Sequence, residues 1–412
     1  MIVRAFRGLR VDAEAASRVA APPYDVMSVD EAREFVGDNQ DSFFHVSMPE
    51  IDFPPGTDAR DAEVQASGRA ALDRLDAEGL LHRDPDDCLY LYRVTMGEHV
   101  QTGIVTAASV AAYLDGRIKR HEHTKAPKVE DRARNADVLG AHTGTIFLTY
   151  RAEASLSAKV AALAAAAPDV VSQAEDGVRH ELWVIAEEST RDALVDAVNA
   201  MPSVYIADGH HRSAAAARLA EIRDSKRAAG ENVSGADWFL AVLFPDTEVR
   251  ILPYNRLVAT LGDGDAANLL DRLADDFEVS LSPTAVEPAV PGEFGFYAEG
   301  QWHRLVIKRD RVPDDAVGRL DINLLEQYCL KPLLGIEDQR TDKRIDFVGG
   351  IRGVAELERR VDNGDFVGAF SLYRTGLDDL FAVADAGEVM PPKSTWFEPK
   401  LRDGLVILPL DD

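Results

Sequence analysis

Five consecutive residues, Asp208-Gly209-His210-His211-Arg212, concentrate chemical capability in this chain, between an apolar run at Tyr205-Ile206-Ala207 and an alanine-rich segment from Ala214 to Ile222. Glycine lets the backbone turn tightly and approach a ligand, and the first turn of a helix offers unpaired N–H groups to an anion. Phosphate is the occupant that this pattern predicts. Cations in a first helical turn oppose the macrodipole by roughly 0.3–1 kcal/mol each, so Arg212 beside two histidines is unfavourable unless an anion offsets it. Two plainer readings remain: Asp208 is a simple helix N-cap, or Asp208, His210 and His211 ligate a metal. Adjacent helical side chains diverge by about 100°, which argues against one shared ion.

A second polar run, Arg120-His121-Glu122-His123-Thr124-Lys125-Ala126-Pro127-Lys128-Val129-Glu130-Asp131-Arg132, holds acids, bases and cations together. A carboxylate beside histidine and lysine can act as general base, and the cations can neutralise phosphoryl oxygens. The alternatives are a solvated charged loop, or zinc on His121 and His123, for which no third ligand lies nearby. Near the C-terminus, Met390-Pro391-Pro392-Lys393-Ser394-Thr395-Trp396-Phe397-Glu398-Pro399-Lys400 reads as a rigid loop offering donors to an anion, or as a segment pinned by Trp396 and Phe397. Pro22-Pro23-Tyr24-Asp25 reads first as a structural turn. Neither a Walker A loop, a GxGxxG turn nor a GxSxG elbow occurs.

Positioning such residues needs a sizeable scaffold, and 412 residues exceed the length at which one core usually stops growing. Two units are expected, 1–261 and 262–412, divided at Gly262-Asp263-Gly264-Asp265, with the last loop returning to the cleft. Alternating elements predict an α/β fold with a mixed sheet. Ser28 with Glu31 has capping-box spacing, so a helix is expected over 29–36. Residues 43–46 read as a buried strand, 60–79 as a helix, and 88–94 with 102–108 as paired strands. Helices are expected over 154–167, 189–200, 265–275, 319–330 and 352–362. Strands are expected over 180–186, 203–207, 238–244, 249–252, 366–372 and 405–408, with a hairpin at 295–307.

Lys plus Arg number 45 against 71 Asp plus Glu, a net charge of −26 that repels polyanions and argues against a nucleic-acid partner. Cys88 and Cys329 stand alone, so neither a disulfide framework nor a zinc ribbon is suggested. No apolar run approaches a membrane span, and a cytoplasmic protein is expected. The sequence leaves the oligomeric state open.

Four blocks together resemble the bacterial family called domain of unknown function 1015: Ala21 to Val26; His121-Glu122-His123-Thr124 with Glu130-Asp131-Arg132; Tyr205 to Arg212; and Met390 to Thr395 through Pro399-Lys400. Ser213 stands where the family usually has an aromatic, and Trp396 and Glu398 replace tyrosines. The Asp-Gly-His-His-Arg turn is in addition similar to the phosphate-binding motif of the ParB and sulfiredoxin superfamily, which includes free serine kinases. That resemblance implies a ParB/sulfiredoxin-like core with insertions, followed by a second α+β portion. It implies a nucleotide, ATP or ADP, held by Gly209, His210, His211 and Arg212 with help from Lys125 and Arg132, and Mg2+ with Asp208 as its contact. Glu122 is the expected base, with Asp208 and His211 also placed in catalysis. Tyr24, Asp25, Lys393, Ser394 and Thr395 are expected at the substrate, a small hydroxylated metabolite such as free L-serine. The alternatives are a nucleotide-sensing ParB-like regulator without kinase chemistry and a metal-dependent hydrolase.

Overall fold

The strands expected around residues 88–108 form the middle of a nine-stranded mixed sheet in the computed structural model, which describes residues 1–174 and 176–411. Its strands are β1 (Val3–Arg4), β2 (Leu89–Met96), β3 (His99–Ser109), β4 (Ile118–Lys119), β5 (Ile146–Tyr150), β6 (Val170–Gln173), β7 (Arg179–Ile185), β8 (Val204–Asp208) and β9 (Trp238–Pro245). Across the sheet the order is β4-β8-β5-β9-β3-β2-β7-β6, with β1 added to β3. The β4–β8 and β5–β9 pairs are parallel and the others antiparallel. A mixed α/β fold is what the alternating pattern predicted. Leu91, Ile104, Leu148, Ile206, Phe239 and Leu243 share one apolar core with Ala215, Ala216 and Leu219 of the helix that follows β8.

Two segments depart from the sequence reading. Residues 43–46 are not a strand: Phe44–Ser47 is one helical turn, in which the N–H groups of His45, Val46 and Ser47 donate to the Ser42 and Phe43 carbonyls and the Phe44 N–H donates to Ser42 Oγ. A short apolar run carries no period with which to choose between strand and buried helix. The polar run beyond Lys125 is not a loop: Ala126–Leu139 is a helix, here α1, with Pro127 in its first turn, where a missing N–H costs nothing. Its charges hid a narrow apolar face, Val129, Ala133 and Ala136, which packs into the same core.

The chain divides into two units, Met1–Arg120, Thr124–Val249 and Pro399–Asp412 against His121–His123 and Arg250–Glu398. Gly262-Asp263-Gly264-Asp265 is thus a loop inside the second unit. In the first unit, Val406–Pro409 pairs with Leu9–Val11 on one side and Ala141–His142 on the other. The second unit holds a six-stranded sheet of β10 (Tyr254–Val258), β11 (Phe277–Ser282), β12 (Glu293–Ala298), β13 (Gln301–Ile307), β14 (Ile345–Gly349) and β15 (Gly368–Leu372), in the order β11-β13-β12-β15-β10-β14. Leu257, Tyr297, Trp302, Val348 and Ala369 form a core there with Leu357 of the helix Ala355–Asp362. The unit's first and last strands, Arg250–Leu252 and Trp396–Glu398, pair antiparallel, so the chain enters and leaves it side by side.

Candidate functional site

Strand β8 is buried and carries the motif to its own C-terminal end, where its register with β5 shifts between Ile206 and Asp208. Gly209 then takes φ +97°, a left-handed conformation that side chains other than glycine adopt at a cost. Helix α2 (His210–Ala228) starts at once, with Ala215, Ala216, Ala217, Leu219 and Ala220 buried. A Cβ on Gly209 would lie 3.3 Å from Arg212 Nε and 3.4 Å from Ile146, so the turn has little room for any other residue.

Asp208 shapes the turn and carries its charge. One carboxylate oxygen accepts the Gly209 N–H at 2.8 Å, and the other accepts from the Lys400 ammonium at 3.0 Å. Burial alone would raise the Asp208 pKa, but Lys400 and Arg212 outweigh it and hold the carboxyl well below its usual range. Lys400 belongs to the segment that returns to the first unit, and no local spacing in the sequence pairs it with Asp208.

Arg212 folds back toward β5 instead of projecting from the helix: Nη1 donates to the Thr145 carbonyl at 2.6 Å, and Nε is buried with no partner. Burial would lower its pKa, yet Asp25, Asp208 and Asp403 together keep it raised. The expected clash between Arg212 and the helix macrodipole is therefore largely offset by carboxylates of the chain itself. Asp403 was not legible in the sequence. Its backbone exchanges hydrogen bonds with Ala21, 3.1 Å from Ala21 N to Asp403 O and 2.9 Å in return, which fixes it against the Pro22-Pro23-Tyr24-Asp25 segment.

Arg212, Tyr24, Arg132, His142 and Asp403 line a cavity of about 50 Å³. Its walls hold unusual polar groups: Arg212 Nε, His142 Nε2 and Asp403 Oδ1 are buried without a hydrogen-bond partner. Burial raises Asp403 to about 7, with Asp25 adding to the effect and Arg212 opposing it. Burial lowers His142 to about 4, so its ring is neutral at pH 7. Tyr24 is raised to about 12, chiefly by burial and by Asp25, and the Arg132 guanidinium lies 4.4 Å from its ring centre. The cavity holds a few waters or a small oxyanion; a nucleotide needs several hundred Å³.

Of the residues expected at the site, Tyr24, Asp25, Lys125, Arg132, Asp208, Gly209, His210, His211 and Arg212 all belong to the first unit. His210 is buried, and His211 Nε2 accepts the Lys125 backbone N–H at 3.1 Å, so the backbone of Lys125 makes that contact. Arg132 pairs with its neighbour Asp131 at 2.8 Å. Glu122, Lys393, Ser394 and Thr395 belong to the second unit, where Thr395 Oγ1 lies 3.5 Å from His121 Nε2. Lys393 is held at φ +59°, with its ammonium 5.5 Å from the Tyr254 ring centre. Among the described residues no group of three or more His, Cys, Asp or Glu is arranged to hold a metal ion, and no helix is long and apolar enough to cross a membrane.

Solved structures to which this chain is similar include a free serine kinase in complex with AMP, 15% identical, with a TM-score of 0.37, covering 75% of this chain and 92% of that one. A conserved hypothetical protein from Pyrococcus furiosus is 16% identical with a TM-score of 0.36, covering 75% of this chain and 96% of that one. SbnI from Staphylococcus aureus, with a C-terminal truncation, is 10% identical with a TM-score of 0.34, covering 74% of this chain and 88% of that one. Curated proteins give no match. The sequence matches the family described as protein of unknown function (DUF1015) over residues 3–323, the greater part of its length, and the chain belongs to that family.

Proposed function

We propose that this protein is a nucleotide-dependent phosphotransferase acting on a small hydroxylated metabolite, with free L-serine as the first acceptor to test. The observation that carries the reading is the Gly209 turn: a left-handed glycine opens α2 beside Arg212, whose guanidinium has an unused buried donor. Phosphoryl transfer asks a protein mainly for positioning and charge neutralisation. The N–H groups at the start of α2, His210, His211 and Arg212, together with Lys125 and Arg132, would hold the nucleotide phosphates. Tyr24 and Asp25, in the same unit as the turn, are assigned to the acceptor.

In the reaction, the acceptor oxygen forms a bond to the terminal phosphorus as the bond from phosphorus to the leaving nucleoside phosphate breaks, and the hydroxyl proton passes to a carboxylate. Two carboxylates are candidates: Glu122, from its charged neighbourhood, and Asp403, poised near neutral pH beside Arg212. Asp208 fits magnesium only as an ion that arrives with the nucleotide, because a single carboxylate with phosphates and waters is a common magnesium set and Lys400 now occupies one oxygen. Once bound, magnesium would supply charge neutralisation on the phosphate oxygens.

Purified protein with ATP or ADP and L-serine is expected to yield O-phosphoserine, and Arg212→Ala to abolish it. Glu122→Gln and Asp403→Asn separate the two base assignments, since loss of a general base costs about 10²–10⁴ in rate. No product from either nucleotide across a panel of hydroxy amino acids would reject the reading; nucleotide binding without product would favour a nucleotide-sensing regulator.

A further inference from the structure

The second unit contains a larger cavity, about 300 Å³, lined by none of the residues of the Asp208 turn. Arg256 of β10 lies in its wall and is 0% exposed. Its guanidinium is held by neutral groups: Gln339 Oε1 at 3.4 Å, the Pro392 carbonyl at 3.4 Å, the Tyr254 carbonyl, and the Phe347 ring at 5.1 Å. Among the described residues no carboxylate forms an ion pair with it. Glu326 reaches it only through Gln339, whose amide donates to that carboxylate at 2.6 Å, and a buried cation without a directly paired anion carries a desolvation cost: burial pulls Arg256 down to about 9, with Tyr254 and Glu326 opposing it.

The same cavity is lined by Asp321, whose Oδ1 accepts the Gly292 N–H at 2.7 Å while Oδ2 is buried and unpartnered. Burial raises this carboxyl to about 7. Thr375 and Ser394 add hydroxyls, Leu320, Ile322 and Leu372 add apolar wall, and Arg319 and Arg374 are exposed cations on the lining. A guanidinium with no directly paired carboxylate and a carboxyl with one oxygen lacking a donor, in one small cavity, are complementary to a ligand that brings an anion and a donor.

We propose that the second unit binds a small carboxylic acid in this cavity, its carboxylate on Arg256 and an adjacent ammonium or hydroxyl group on Asp321. The site is independent of the phosphotransferase reading, which rests on the Gly209 turn of the first unit. Ser394, expected at an acceptor site, lines this cavity instead of any part of the Arg212 cavity.

Calorimetric titration of the full chain with acetate, lactate, glycine, alanine and inorganic phosphate tests it. Lactate or the amino acids are expected to bind at millimolar concentration or better, acetate weakly and phosphate weakest. Arg256→Met is expected to weaken binding at least about tenfold, the loss of one charge-assisted hydrogen bond. Asp321→Asn keeps the shape of the wall and serves if Arg256→Met does not fold. It should weaken the amino acids more than acetate if the donor is ammonium, and lactate more than acetate if it is hydroxyl. Arg212→Ala should leave all of these affinities unchanged, so this site can fail while the phosphotransferase reading stands, and the reverse. Absence of binding by every acid, or affinities unaltered by Asp321→Asn, would overturn the proposal.

Discussion

Asp403 and Asp208 sit near one guanidinium and are pushed in opposite directions, which makes their contributions to stability separable by pH. Asp403 rises from 3.8 to about 7, so between those values the folded chain holds a proton that the unfolded chain has lost. Stability from this group is complete below about pH 4 and declines as pH rises toward 7, by at most about 1.4 kcal/mol per pH unit. Asp403→Asn should therefore gain on the wild type in urea midpoint from pH 4 to pH 7, and a constant difference would contradict the buried neutral acid. Asp208 has the other sign: its depressed pKa gives stability that is present above the ordinary carboxylate range and lost as pH falls below it. Lys400→Met removes the leading cation, and its acid-unfolding midpoint, followed by circular dichroism, should move to higher pH. The motif from Asp208 to Arg212 was legible because its residues are contiguous. Thr145 comes to it from one other place in the chain and Lys400 with Asp403 from a second, and no local spacing connects either to the motif.

At the level of elements, the strand-turn-helix depends on one backbone conformation. Gly209→Ala places a side chain at φ +97°, which costs roughly 1–2 kcal/mol, and sets its Cβ 3.3 Å from Arg212 Nε. A modest fall in melting temperature is expected, with a disproportionate loss of the thermal shift given by ATP, ADP, pyrophosphate or sulfate. Equal shifts in wild type, Gly209→Ala and Arg212→Ala would mean that the turn is only a helix start. The capping box was readable because it is local: Ser28 Oγ accepts the Glu31 N–H at 3.2 Å and Glu31 accepts the Ser28 N–H at 2.8 Å. Helix α1 was not, because the charges that hide its narrow apolar face pair with α2, Arg218 with Glu130 at 2.9 Å and Lys226 with Asp137 at 2.7 Å. Those partners lie far along the chain, where charge spacing gives no guidance.

Across the whole molecule, the mixed α/β class followed from alternating periods, while the points at which the chain passes between units did not, since the steps from Val249 to Arg250 and from Glu398 to Pro399 have no compositional mark. The pairing of Arg250 with Glu398 brings the two ends of the second unit's main segment together. A shortened chain in which a tight turn replaces residues 253–395 should therefore keep a folded first unit, although it uncovers His121–His123. Its far-ultraviolet spectrum and a cooperative melt would show this, and a chain without a thermal transition would show that the first unit needs the second. The return of the chain at Pro399 also imposes an order in time. During synthesis the ribosome completes the Asp208 turn, then spends on the order of ten seconds on the second unit before Lys400, Asp403 and the strand Val406–Pro409 emerge. Until then Asp208 lacks its ammonium, Arg212 lacks one of its carboxylates, and the edges of Leu9–Val11 and Ala141–His142 stand unpaired. A nascent or prematurely terminated chain thus holds the Asp208 turn without the groups that balance it, and maturation of the turn waits on the segment that follows the second unit.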